Sequence, residues 1–401
     1  MAIIVMLFQG MSLSAEEIIR DRKIMQREAF LRLSRLSYLN SKIIFLLGLS
    51  LLQSLLFVII SSRVLGMEGL FLKYWTILFL TAAFANMAGL NISSGLNSVV
   101  TIYITIPLLI IPQILLCGLI VRFDDLKGMN SKNNSVPVIG DIMVSRWSFE
   151  ALAVEQYSKN KYNIHYYDIE KEMSGYFIKG ELLIPKLSNL IGSVSYNRTL
   201  KNEKSQELKA FRTIANEMKE IDQDNLIPAF NYYDSLNIKA FTRSIGDSSI
   251  QHLDRLRAIF KNLYLDAERR KDKLTSKLVA EIGQEKLIRL KEINQNSSLA
   301  SIVTNQNIDN TIIRSGDKFL IKVAPIFRPA ESRTGRAHFY APIKYLGNIE
   351  IPAYYFNVGV IVLMILVLYF ALYFDWLKKS INYFGSLKMP SLAHSPLKHN
   401  R

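Results

Sequence analysis

The chain has 401 residues, half of them hydrophobic, a formal net charge of +15 and a single cysteine, Cys117. One cysteine excludes an internal disulfide framework, so every folded part must hold by packing. The basic excess invites a nucleic-acid reading, but much of it flanks apolar runs, where membrane orientation and anionic lipid account for it, and no nucleic-acid partner is expected.

Residues Met1–Met11, MAIIVMLFQGM, are apolar but too short to cross about 30 Å of hydrocarbon, and they lack the basic start of a signal peptide. Ser12, Ser14 and Ala15 mimic a cleavage site. Cleavage there would leave the following basic segment outside, against the rule that retains Lys and Arg on the cytoplasmic side. Residues 1–12 therefore read as the end of a truncated transmembrane helix. Residues 13–42 have the marks of a cytoplasmic helix: Ser14 as N-cap, Glu16 and Glu17 in the first turn, and arginines toward the negative end of the dipole. Ile18, Ile24, Met25, Phe30, Leu31 and Leu36 supply an apolar face. On composition, a solvated connector and a protein-docking surface fit that pattern equally well.

Three apolar runs follow, Ile43–Ile60, Leu70–Leu90 and Val99–Val121, and a fourth, Asn357–Phe374, comes after a long polar insert. Each approaches the roughly 20 residues a membrane-crossing helix needs, and the one full charge among them, Lys73, sits at an edge where it can snorkel. Gly89, Ser93, Ser94 and Gly95 read as the reversal between the second and third runs, and Pro107 and Pro112 as sites where the third can bend. The tail after the last run carries Lys378, Lys379, Lys388, Lys398 and Arg401 against one acid, Asp375. Both basic flanks are thus expected in the cytoplasm, joined by four crossings, with the insert outside. The expected division is 1–12, 13–42, three spans in 43–122, an outer segment 123–158, an extracytoplasmic domain 159–352, the last span 353–376 and a cytoplasmic tail 377–401. The fold class is an α-helical integral membrane protein in a cell membrane, with four complete transmembrane helices, a partial one, and a large, mainly helical α+β insert.

Polar residues within the runs, Gln53, Asn86, Asn91, Asn97, Ser98, Thr101, Thr105 and Gln113, mark either a pathway or hydrogen-bonded glue between helices. In the insert, Leu208 to Ile221 and Leu253 to Ile282 repeat at helical spacing, while Thr311–Val323 and Phe339–Tyr345 alternate like strands. The cluster Arg269–Lys273 reads as a solvated face or as a receiver of a polyanion. His165, His252 and His338 have no neighbours at metal-ligand spacing, and no catalytic triad is legible.

Two stretches carry a resemblance. Asp21-Arg22-Lys23-Ile24-Met25-Gln26-Arg27-Glu28, followed by Ser37-Tyr38-Leu39 and Lys42, resembles the first intracellular loop of ABC exporters of the G (white, pleiotropic drug resistance) subfamily. The stretch from Ser145 to Tyr157, SRWSFEALAVEQY, is similar to the re-entrant helical segment after that family's fifth helix. The resemblance implies a six-helix membrane domain of which this chain holds the third to sixth helices complete, with the second truncated. It implies ATPase coupling through Asp21, Arg22, Lys23, Arg27 and Glu28. It also implies a translocation path along the fifth helix, at Thr101, Thr105 and Gln113, and a gate at Trp147, Glu150 and Glu155. For Glu150, a structural pairing with Arg146 at i,i+4 stands beside the gate. No GxxxxGK[ST] loop occurs, so the chain is expected to bind no cofactor itself and not to be an enzyme alone. ATP would act through an ABC ATPase subunit or a missing segment. The other expected partners are membrane lipid and a second half, in a homo- or heterodimer. The insert departs from the family's compact outer loop. A non-transport scaffold or sensor displaying a helical outer domain is the rival reading.

Overall fold

A computed structural model describes residues 1–27, 34–65, 69–123, 136–197, 204–224, 226–228, 230–308 and 310–386. The apolar runs become helices: α1 (Ala2–Ser14), α2 (Glu17–Arg27), α3 (Arg35–Leu65), α4 (Phe71–Gly95) and α5 (Val99–Leu115). Among the described residues, Ala2–Arg27, Arg35–Val64, Phe71–Gly95 and Ala353–Tyr373 are long and apolar enough to cross a membrane. The expected number is met with different members. The first apolar run gains length by joining α2, and the third falls short of Val121.

Two causes shorten α5. Pro107 and Pro112 remove backbone donors from its interior, and Gly118 turns the chain at φ +86 with the Phe339 ring against it. Seventeen residues of helix rise only about 26 Å.

Nearly every residue of α4 beyond Leu80 is buried, and its small residues explain how neighbours come so close. A Cβ added to Gly10 of α1 would lie 2.7 Å from Ala85 Cβ and 2.8 Å from the Ala82 carbonyl. One added to Gly89 of α4 would meet Ser14 Oγ at 2.0 Å. Gly10 and Ser14 therefore face Ala85 and Gly89, a small-residue contact that lets two backbones touch. This corrects two expectations. Gly89, Ser93 and Ser94 are helical, with the reversal confined to residues 96–98, and Ser14 ends α1, its hydroxyl donating to the Gly10 carbonyl at 2.8 Å, instead of starting α2.

Next come α6 (Val138–Asp141), α7 (Val144–Lys159), α8 (Tyr167–Phe177), a π-helical turn (Ile178–Leu183), α9 (Ile184–Asn197), α10 (Lys204–Asp222), α11 (Arg243–Ile282), α12 (Gln284–Asn294) and α13 (Ser297–Val303). Both helical repeats read from the sequence are present, as α10 and α11. The stretch from α8 through α9 was not anticipated, although it packs along α11 and contributes Leu187 and Ile191 to a core with Ile214, Met218, Leu253, Leu256 and Phe260. Gly180 in the π turn admits the Phe260 Cβ at 3.2 Å from where its own Cβ would be.

The expected strand Thr311–Val323 is instead a hairpin, β1 (Ile312–Ser315) against β2 (Lys318–Ile321), because Gly316 at φ +63 reverses it. A second hairpin, β3 (Ile343–Leu346) with β4 (Ile349–Pro352), turns at Gly347, φ +64. The strand expected from Phe339 begins only at Ile343, after Tyr340 in a left-handed conformation and Pro342. The chain then enters α14 (Ala353–Tyr373) and, past a left-handed Asp375, α15 (Trp376–Ser386), whose Leu377 packs on Gly95. Glu28, Phe30, Leu31, Lys388, Lys398 and Arg401 lie outside the described residues.

Candidate functional site

The helix α7 is the joint of the molecule. Val144, Trp147, Ala151 and Leu152 face the core built by α1, α4, α5 and α14, while Ala153, Val154 and Tyr157 pack with Val303, Ile326 and Phe327 of the insert. Its start is fixed by Gln113, whose Oε1 accepts from the Ser145 N–H at 3.1 Å and whose carbonyl accepts from the Ser145 hydroxyl at 2.6 Å. One turn on, the Ser148 hydroxyl meets that of Thr81 on α4 at 2.8 Å. At its far end Glu155 pairs with Lys73, and Gln156 accepts from the Tyr74 hydroxyl.

At the centre Glu150 is fully buried. Its Oε2 accepts from Lys344 Nζ at 2.6 Å and from Asn357 Nδ2 at 3.0 Å, and Lys344 also donates to Asn357 Oδ1 at 2.8 Å. Asn357 donates in addition to the Trp147 carbonyl at 3.2 Å. Arg146 stands 3.6 Å from both Glu150 and Asp141, with its guanidinium 3.7 Å above the Trp147 ring. The cluster is incompletely satisfied: Arg146 Nε and Nη1 and Glu150 Oε1 have no hydrogen-bond partner. A buried ionic network of this kind holds parts in register more than it adds net stability.

The i,i+4 pairing of Glu150 with Arg146 is therefore present but secondary to Lys344 and Asn357. Neither Lys344 nor Asn357 stands among the site residues expected from the sequence. The available signal was the lysine in AHFYAPIKYL, a stretch apolar but for it and His338, and one asparagine opening the last apolar run.

The expected path residues separate. Ile102, Ile106, Ile110 and Gln113 form the packed face of α5, so Gln113 spends its side chain on α7. Thr101 and Thr105 lie off that face, close to exposed Tyr103, Ile104 and Leu108, with Thr105 Oγ1 bonded to the Thr101 carbonyl at 2.7 Å. Asn86 donates to Ser50 Oγ at 2.7 Å and Asn91 to the Leu368 carbonyl at 2.9 Å, tying α4 to α3 and α14 as interhelical glue.

The expected coupling residues separate as well. Asp21 is held by Lys42 at 2.8 Å and by the Tyr38 hydroxyl at 3.2 Å. Arg22 donates to the carbonyls of Ser93, Ser94 and Leu96 and to Asn97 Oδ1 at 2.8–3.3 Å, closing the carboxyl end of α4. Ser93 Oγ accepts from the Ile18 and Ile19 N–H groups at 3.1 and 3.0 Å, which caps α2. Lys23 and Arg27 point outward beside exposed Ile24 and Met25. Two inner groups thus clamp α2 to α3 and α4, and its outer face is open.

Residues 1–155, from α1 to within α7, match the family model described as ABC-2 type transporter. The first 155 residues are thus similar to the membrane domain of ABC-2 type transporters, and together with the long apolar helices this supports a multi-pass membrane protein. No curated protein and no solved structure matches the chain.

Proposed function

We propose that the chain is the membrane-spanning half of an ATP-driven exporter of the ABC G type, which pairs with a second half and takes its energy from an ATPase domain or subunit bound at α2. The observation that carries the reading is the build of α2, clamped on one side through Asp21, Arg22 and Ile18 and open on the other with Lys23, Ile24, Met25 and Arg27. A helix held in that way can receive a push and pass it to α3 and α4. The match to ABC-2 type transporters over the same residues supports it, whereas a display scaffold has no use for a clamped lever.

In this reading both basic flanks are cytoplasmic and the insert is extracytoplasmic. Rocking of α14 against α7 carries or breaks the Glu150 cluster, and the open face of α5 with Thr101 and Thr105 meets the second half or the path. ATP is bound by the partner, since no phosphate-cradling Gly-rich loop occurs in this sequence. The purified chain alone should then hydrolyse no ATP.

The test is a complex reconstituted in vesicles with its ATPase, comparing wild type with Lys23→Glu, Arg27→Glu, Glu28→Arg and the Arg27/Glu28 swap. An exposed pair contributes only about 0–1 kcal/mol to folding, while truncating one partner of a buried interface pair costs roughly 2–5 kcal/mol of binding. Insertion and thermal stability should stay at wild-type level while transport per ATP falls at least severalfold. Wild-type coupling in all four variants would remove α2 from the mechanism.

A further inference from the structure

Past the last apolar helix the sequence promised only a basic flank, yet α15 sorts its residues by face. At 3.6 residues per turn, Tyr383, Trp376, Ser380, Leu377 and Ile381 fall within an arc of about 160°, and Lys378, Asn382 and Lys379 share the opposite side. Tyr373 and Phe374, at the end of α14, are exposed, and the exposed surface continues into Trp376 and Ile381, which are 52% and 41% exposed. Tyrosine and tryptophan at the end of a span are residues of the headgroup level.

The rotation of α15 is fixed. Asp375, at φ +52, breaks the axis of α14, and its carboxylate pairs with Arg35 of α3. Leu377 then packs on Gly95 at the carboxyl end of α4, its Cδ2 lying 2.8 Å from where a Gly95 Cβ would stand. The apolar arc is thus turned toward the membrane part and the lysine side away from it. Trp376 and Ile381 flank Leu377 on that arc.

From Trp376 to Arg401 the sequence holds five lysines and arginines and no acid. A helix with a sorted apolar face, lysines on the other side and a membrane-spanning helix leading straight into it has the build of one that lies in the bilayer surface. We propose that α15 lies in the headgroup layer of the bilayer that α14 crosses, with Trp376 and Ile381 set among the upper acyl chains and Lys378 and Lys379 on the phosphates of anionic lipid. The placement requires α14 to cross a membrane, and it needs neither an ATPase nor a transported substrate.

The test uses the full chain with Cys117 replaced, in nanodiscs of phosphatidylcholine with or without phosphatidylglycerol. An environment-sensitive fluorophore is attached at Ile381→Cys or, separately, at Asn382→Cys on the lysine side, and is quenched by lipid carrying a nitroxide near the top of its acyl chain. Quenching at Ile381→Cys should exceed that at Asn382→Cys severalfold. Each lysine near an anionic surface favours the bound helix roughly fivefold, so phosphatidylglycerol should raise quenching at Ile381→Cys, and Lys378→Gln with Lys379→Gln should cancel the rise. Both lysines are exposed, so that variant should keep the wild-type unfolding temperature. Equal quenching at the two positions, or none at Ile381→Cys, overturns the proposal and leaves the apolar arc to a protein partner. Quenching indifferent to phosphatidylglycerol, or still raised by it in the lysine variant, overturns the assignment to anionic lipid. None of these readouts involves ATP, so a failure of the exporter reading leaves them unmoved.

Discussion

Glu150 and Lys344 lie 194 residues apart in sequence yet share one hydrogen bond in a fully buried setting, where an unpaired charge is costly. Glu150→Ala or Lys344→Ala alone should therefore destabilise the protein by about 3–5 kcal/mol, whereas Glu150→Leu combined with Lys344→Met should recover most of the loss. Thermal unfolding in lipid nanodiscs reads both, and a double variant as weak as the singles would show that the pair is not the source of the cost. Glu150 was legible in the sequence as an acid on an apolar helix. Lys344 was not, because nothing local links it to residue 150. Glu217, buried in the insert, accepts from the Phe319 N–H at 2.6 Å. Burial pushes its pKa up to about 7 from an ordinary 4.5, with Glu220 adding to the rise and the Phe319 bond opposing it. The folded protein thus keeps a proton that the unfolded chain has already lost. Its contribution is complete below about pH 4.5 and fades as pH rises to about 7, by roughly 3 kcal/mol. Glu217→Gln, which can still accept the Phe319 bond, should flatten the fall in unfolding temperature across that window, and an unchanged pH profile would assign the slope to other groups.

At the scale of elements, hydropathy located helices well and their ends poorly. The runs beginning near Ile43, Leu70 and Asn357 became α3, α4 and α14, each longer than its apolar stretch because polar ends continue the helix. Small residues misled in the other direction: Gly89 and Ser93 looked like a turn, whereas their smallness serves the crossing with α1 and the cap on α2. Thr311–Val323 was read as one alternating strand, and the two-residue turn at Gly316-Asp317 that folds it into a hairpin was missed. Gly89→Leu should separate α1 from α4, as its Cβ alone would sit 2.0 Å from Ser14 Oγ. Cysteines replacing Met11 and Leu90, both buried near that crossing, test this in a chain lacking Cys117. Cross-linking by a short bifunctional maleimide should be efficient at Gly89 and fall severalfold in Gly89→Leu, and equal cross-linking would mean that the helices meet without the glycine.

At the scale of the whole molecule, two bodies share α7. One is the helical membrane part and the other the α8–α11 bundle, whose longest helix, 40 residues, extends about 60 Å. The two-sidedness of the proposed topology can be measured. With Cys117 replaced, single cysteines at exposed Leu36 and exposed Arg269 should be labelled by an impermeant maleimide from opposite faces, only the second in intact cells. Labelling of both from outside would place α2 outside and end the ATPase-docking proposal. The resemblance legible in residues 21–42 and 145–157 agrees, at the coarser level of ABC-2 type transporters, with the match over residues 1–155. The insert had only its periodicity to speak for it, which gave α10 and α11 but not how they attach. That attachment also sets an order of events during synthesis. α7 leaves the ribosome with a carboxylate whose lysine and asparagine partners are still uncoded chain, and at about 5–20 residues per second they arrive roughly 10–40 s later. Until then Glu150 must stay hydrated or shielded by a chaperone, so the amino-terminal helices cannot settle before the last one is made, and messages cut short ahead of Lys344 should yield chains that quality control removes.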